Sequence, residues 1–128
     1  MINPDVRDLI SAKNFAALTV LLSDGSPMSH VMWVDADDEH VLFNTEVHRD
    51  KYKAVQRDPR VAVVVWELAD PYHRAEIRGR VVSEVRGPEA RAHIDNMSLK
   101  YNGTEYDVPI KSERVILKVL PTVQKVLG

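Results

Sequence analysis

Cysteine is absent from the 128 residues. That excludes disulfides, thiolate metal sites and a cysteine nucleophile, and it fits a reducing compartment. The five histidines, His30, His40, His48, His73 and His93, are scattered. No two stand four apart on a helical stretch, so a zinc site has little support. There is no Gly-x-Ser-x-Gly elbow, so a serine hydrolase lacks its nucleophile turn. Neither a P-loop nor a Gly-x-Gly-x-x-Gly turn occurs, which leaves nucleotide binding without its usual glycine cradle. No apolar run approaches the ~20 residues that span a bilayer. The start, Met1-Ile2-Asn3-Pro4-Asp5, lacks the basic stretch and apolar core of a signal peptide. The expectation is a soluble, cytoplasmic protein with no membrane partner and no metal. If such a chain is an enzyme, a cofactor carries its reaction.

Hydrophobic residues make up 45% of the chain, which suits a packed globular protein rather than a disordered one. The length predicts one domain, residues 1–128, with enough buried surface to need no covalent staple. The formal net charge of -2 is unevenly spread. From His48 to Arg60, five cations (Arg49, Lys51, Lys53, Arg57, Arg60) stand against Asp50 and Asp58, giving +3 and leaving -5 for the rest. A basic patch on an acidic chain points to one localised anion. Nucleic acid is not expected, because the patch is small and aromatic residues are only 6%.

Asn3-Pro4-Asp5 is a helix start, with an Asn cap and Pro at the first helical position. Val6, Leu9 and Ile10 follow at helical spacing. Phe15 to Ser23 reads as a strand, Asp24-Gly25 as a turn, Pro27 to Ala36 as the returning strand, and Val41 to Thr45 as a third. Short turns between them predict an antiparallel meander. His48 to Asp58 is polar and closed by Pro59, and reads as a short helix. Arg60 to Glu67 is the most apolar strand and is expected to be central. Asp70-Pro71-Tyr72 reads as a loop, and Ala75 to Arg86 as a long strand. Pro88 and Glu89 open another helix, with Ala90, Ile94, Met97 and Tyr101 as its stripe. A last strand runs from Val115 to Leu120 and stops at Pro121. The class is mostly β, about six antiparallel strands with short outer helices, rolled into a barrel or a strongly curved sheet.

The segment Asn44 to Val61 is where chemistry concentrates. A strand delivers the chain to a loop, and the loop opens a helix whose free amides attract an anion. Arg49 and Lys51 near that start can add fork-like and point-charge contacts to a phosphate. The bland alternative is a solvated basic helix. On a strand, His30 is more often a satisfied structural histidine than a proton donor, and Trp33 and Trp66 are more often core or interface anchors than cofactor stackers. Gly79 between Arg78 and Arg80 suggests a bulge or a close backbone approach. His93 and Asp95 are two apart on a helix and are expected on the surface.

Four pieces occur in order along the chain. Pro27-Met28-Ser29-His30-Val31-Met32-Trp33 precedes a strand ending Asn44-Thr45. Arg49, Lys51, Lys53, Arg57, Pro59, Arg60 and Val61 follow. Next come Pro71-Tyr72 and Glu76-Ile77-Arg78-Gly79-Arg80-Val81, then His93-Ile94-Asp95 and Lys100-Tyr101-Asn102-Gly103. Together they resemble the pyridoxamine 5'-phosphate oxidase-like family, with its split β-barrel fold, and most nearly its members that use the deazaflavin coenzyme F420. Two positions depart from the pattern: His30 stands where Ser or Thr is common, and Ala54 where Asn is common. The resemblance implies a homodimer with the cofactor in a groove between subunits. It implies that Arg49 and Lys51 grip the cofactor phosphate, and that His30, Val31, Met32 and Trp33 lie along the ring system. Asn44, Thr45, Lys53, Arg57 and Arg78 complete the expected cofactor-binding set, with His30 as the candidate proton donor.

The expected activity is hydride transfer from reduced F420 to a small organic acceptor. The alternatives are an FMN-dependent oxidoreductase on the same fold and a non-catalytic F420 or flavin carrier. Residues near Tyr72, His73 and Tyr106 are candidates for the acceptor side.

Overall fold

The computed structural model describes residues 1–128. Helix α1 (Pro4–Ser11) leads into strands β1 (Phe15–Leu21), β2 (Pro27–Met32), β3 (Asp35–Ala36) and β4 (Val41–Glu46). Helix α2 (Asp50–Arg57), strands β5 (Arg60–Glu67) and β6 (Asp70–Arg86), helix α3 (Pro88–Asn102) and strand β7 (Arg114–Leu127) follow. All seven strands belong to one antiparallel sheet in the order β2-β1-β5-β6-β7-β4-β3.

That order corrects the expected meander. Strand β2 pairs with β1 alone, and the third strand expected from sequence, β4, lies five places away between β7 and β3. The stretch from Pro27 to Ala36 is two strands, broken at Trp33-Val34. This break fixes the shape of the sheet. Laid flat, seven strands would hold β2 and β3 apart by six spacings, about 29 Å. The chain from Met32 to Asp35 reaches roughly 11 Å at most. The sheet therefore rolls until its two edges approach, and the seam left between them is the split of a split β-barrel.

Alternation puts one face of each strand inside. Ala16, Leu18 and Val20 of β1, Val61, Val63 and Val65 of β5, and Val115, Leu117 and Val119 of β7 join one apolar core of 21 buried side chains. Helix α1 adds Val6, Leu9 and Ile10 to it, and α2 adds Tyr52, Ala54 and Val55. Helix α3 lies outside the sheet, where Ala90 packs on Leu42 and Ile116. It ends at Gly103, whose φ of 77° lets the cap amide bond back to the Leu99 carbonyl.

Two elements run past their expected ends. Asp70-Pro71-Tyr72 is already part of β6, and β7 continues through Pro121 to Leu127. The register shifts between Arg78 and Gly79, and Pro121 pairs there with Gly79. A proline without an N–H is tolerated at such a bulge. A side chain at Gly79 would collide with the Leu120 carbonyl oxygen and come within 3.1 Å of the Pro121 Cα. Strand β5 lies inside the sheet as expected, third in the order rather than at its centre.

Candidate functional site

All six residues of β4 are buried. Val41 and Phe43 face the core, while Leu42 packs with Ala90 of α3 on the opposite side of the sheet. The same alternation turns Asn44 and Glu46 to the α3 side, and on β7 it turns Arg114 that way, paired in register with Glu46. A layer of buried polar groups thus lies between the sheet and α3. Such a layer is tolerated only when its members satisfy one another.

They do so in a single network. Asn44 Nδ2 donates to the Ala90 carbonyl at 2.9 Å and meets His93 Nδ1 at 3.0 Å. Its Oδ1 accepts from Arg114 Nε at 2.9 Å. His93 Nε2 lies 2.9 Å from Asp35 Oδ2 on β3. Glu46, only 2% exposed, accepts the Lys111 and Ser112 amides at 2.7 Å each on Oε1. Its Oε2 lies 3.5 Å from Arg114 Nη1 and 3.9 Å from Arg49 Nη2. Burial pushes the Glu46 carboxyl up, but the amides of Ser112 and Lys111, with Arg114 and His48, outweigh it and hold the group below its ordinary range. The Asp35 carboxyl is balanced the same way: burial raises it, and the bonds from His93 and the Ala36 amide bring it below the usual value.

Beside this network opens a cavity of about 370 Å³, at the lower end of the ~300–1,000 Å³ typical of small-molecule pockets. Val31, Met32 and Trp33 border it from the β2 side of the seam, and Asn44 and Thr45 from β4. Arg49 and Lys51 stand at the start of α2, Ile94 and Met97 come from α3, and Tyr106, Asp107 and Val108 from the following loop. Arg114 and Phe15 complete the principal walls. Trp33 is fixed by stacking on Tyr101, with ring centroids 5.0 Å apart and planes 3° apart, and it meets Tyr106 edge-on at 6.2 Å. The Tyr101 hydroxyl donates to the Asn14 carbonyl and accepts from the Val34 amide, which anchors the seam from within.

One end of the cavity is cationic. Burial pulls the Lys51 ammonium below its ordinary value, and Arg49 and Arg114 add repulsion. Burial also lowers Arg114, although a guanidinium stays charged in proteins. The first turn of α2 presents amides that no helical carbonyl can reach, and no side chain caps them. Mutually repelling cations beside open amides form a site for an anion.

Seven residues of the expected cofactor set line this cavity: Val31, Met32, Trp33, Asn44, Thr45, Arg49 and Lys51. Four lie elsewhere in the single chain. His30 is exposed on the edge strand β2. Lys53 and Arg57 border a separate cavity of about 360 Å³ with Asp24 and Asp50, and Arg78 lies on the outer face of β6 beside Lys125. Tyr106 is at the cavity, whereas Tyr72 is 79% exposed and away from it. His93 corrects the surface expectation. Its side chain is 12% exposed because it faces the sheet and bonds to two strands. Asp95 holds the loop by accepting from the Tyr106 amide at 3.0 Å. Sequence reading missed Phe15 and Arg114. Arg114 carried one usable signal, a lone cation at the head of the apolar run Val115-Ile116-Leu117.

Residues 2–126 match the family model described as pyridoxamine 5'-phosphate oxidase. A solved structure described as F420 reductase is 29% identical, with a TM-score of 0.85 over 97% of this chain and 98% of that one. Two more distant structures share the fold. The one described as a pyridoxamine 5'-phosphate oxidase from Listeria innocua is 20% identical, with a TM-score of 0.71 over 94% of this chain and 93% of that one. General Stress Protein 26 from Bacillus anthracis is 20% identical, with a TM-score of 0.74 over 96% and 91%. No curated protein matches the sequence.

Proposed function

The chain belongs to the pyridoxamine 5'-phosphate oxidase family, and from that premise we propose that it is an F420-dependent oxidoreductase acting on a small organic acceptor. One observation carries the reading: Arg49 and Lys51 line the same cavity as Phe15, Val31, Met32 and Trp33. A planar ring joined to a phosphate needs this pairing of an apolar slot with a cationic end. The similarity to the structure described as F420 reductase supports the deazaflavin over other ring systems.

The cofactor, once bound, supplies the hydride chemistry. The residues of the chain supply binding and orientation. Arg49 and Lys51 hold the phosphate. Trp33, locked by Tyr101, sets the plane of the slot, with Met32 beside it. Nothing on the cavity wall is a nucleophile with a base beside it, so catalysis rests on orienting the two reactants.

A homodimer would complete this site. The face of β1 and β5 turned from the core carries Ala17, paired in register with Val64, and Trp66, paired with Phe15 of the cavity wall. Val31 beside it is 66% exposed. A second copy docked there would shield these side chains and deepen the slot. No helix is long and apolar enough to cross a membrane.

FMN is the second reading, favoured by the family description. Its phosphate would meet the same cations. Side-by-side titration with F420 and FMN, read by tryptophan fluorescence, separates the two. Tighter saturation by F420 is expected, with FMN binding more weakly through the same cations. Selective saturation by FMN moves the protein to the flavin reading, and binding with no turnover of any acceptor would make it a carrier. The double variant Arg49→Ala/Lys51→Ala is expected to lose cofactor affinity at least ~100-fold, since each charged hydrogen bond is worth about 1.5–3 kcal/mol, while its circular dichroism stays unchanged. Retained affinity in the folded double variant would sink the assignment.

A further inference from the structure

Arg114 lies under α3, 7% exposed, yet it borders the cavity. A guanidinium offers five N–H donors in a rigid fork. The fold engages Nε, at 2.9 Å from Asn44 Oδ1, and leaves Nη1 3.5 Å from Glu46. That pairing is loose for a buried ion pair, where charged N–H to oxygen distances of about 2.7–2.9 Å are usual. Glu46 has spent its closest contacts on the Lys111 and Ser112 amides. The face of the guanidinium is covered by Tyr106, 5.2 Å from the ring centroid. Arg114 is therefore held tightly along one edge and over one face, while its Nη groups, with Tyr106 and Glu46 as loose partners, stand beside Arg49 and Lys51.

We propose that Arg114 is a ligand-binding residue, the third cation of the anion site, aimed into the cavity by Asn44 and, through Asn44, by His93. The inference rests on the anion-binding reading of the cavity given above. The aim follows from a chain of forced choices. Arginine can only donate, so Asn44 must turn Oδ1 towards Nε. Asn44 Nδ2 then faces the Ala90 carbonyl and His93 Nδ1. His93 Nδ1 must accept, so its ring proton sits on Nε2 and points at Asp35 Oδ2, 2.9 Å away. Each orientation leaves one option for the next, and the chain ends at the arginine fork. With Arg49, Lys51 and Arg114 set against Asp107 and Glu46, the cavity keeps a net charge of +1 for an anion to neutralise.

The test uses the purified full chain and two readouts. Inorganic pyrophosphate, followed by calorimetry, probes the anion site without any ring. FMN against riboflavin, followed by tryptophan fluorescence, isolates the phosphate contribution, because riboflavin lacks only that group. Arg114→Gln is expected to weaken pyrophosphate at least tenfold and to reduce the preference for FMN over riboflavin by the same factor, with riboflavin unchanged. Arg114→Lys keeps a counter-ion for Glu46 and decides the matter if the Gln variant does not fold; it should lose severalfold through the missing fork. His93→Phe should move pyrophosphate in the same direction by a smaller factor. Pyrophosphate affinity equal to wild type in Arg114→Gln, or equal losses of FMN and riboflavin, would overturn the proposal. Wild-type protein that binds pyrophosphate through Arg114 but neither cofactor would sink the oxidoreductase reading and leave this one standing. Wild-type protein that binds no anion would sink both.

Discussion

Replacing Asn44 by Leu tests whether the polar layer under α3 is a single unit. Leucine keeps the branch at Cγ, so the shape of the site changes little while its hydrogen bonds vanish. Three bonds are lost, to Ala90, His93 and Arg114. At a net ~1 kcal/mol each, the loss is about 3 kcal/mol. Stranding Nε of a buried cation adds to this, and the extra apolar burial of leucine subtracts a similar amount. Against a typical stability of ~5–15 kcal/mol, a loss of about 3 kcal/mol is large. It corresponds to a fall in Tm of roughly 10 °C for a chain of this length. Urea denaturation read by Trp33 and Trp66 measures it directly. The cycle with His93→Ala is the sharper arm, because two residues of one network should couple by at least ~0.5 kcal/mol. A loss below ~0.5 kcal/mol in Asn44→Leu, or strict additivity with His93→Ala, would refute the network.

Gly79→Ala places a methyl against the Leu120 carbonyl and should cost roughly 2 kcal/mol or more; an unchanged melting temperature would show that the bulge relaxes freely. The Glu46 carboxyl is held below its ordinary value of 4.5, so its contribution is fully present above that value and is lost as pH falls through the lower folded one. The stability advantage of wild type over Glu46→Gln should therefore be constant above about pH 5 and shrink on acidification, and an advantage that grows in acid would contradict the sign. Val64→Glu puts a charge on the outer face of β5 and should convert a dimer to a monomer in analytical ultracentrifugation, with the melting temperature little changed; a variant that stays dimeric would place the interface elsewhere.

Sequence periodicity located what depends on near neighbours. The α1 start at Pro4 and the α3 stripe of Ala90, Ile94, Met97 and Tyr101 were legible because each buries against whatever lies beside it. Strand β5 was legible from its apolar run. The order of strands was not, because β4 pairs with β7, some seventy residues away, and no local signal encodes that partner. The break at Trp33-Val34 was hidden for the same reason: both halves are β-prone, and only the rolled sheet separates them. Pro121 looked like a stop because a proline usually ends a strand, yet its missing N–H falls at a bulge. Helical spacing sent His93 outward. The polar groups on β3 and β4 that draw it inward are invisible until α3 is docked. Arg114 stayed hidden until Glu46 and Asn44 were placed beside it.

The seam between β2 and β3 also bears on solubility. An open sheet ordinarily offers two unpaired edges, each a template on which another chain can add a strand and begin a fibre. Here one edge, β3, is only two residues long. The other, β2, turns its end towards the cavity at Val31 and Met32. A ligand in that cavity takes space that an invading strand would need. Starved of its ligand, the protein would then be more prone to aggregate than when loaded.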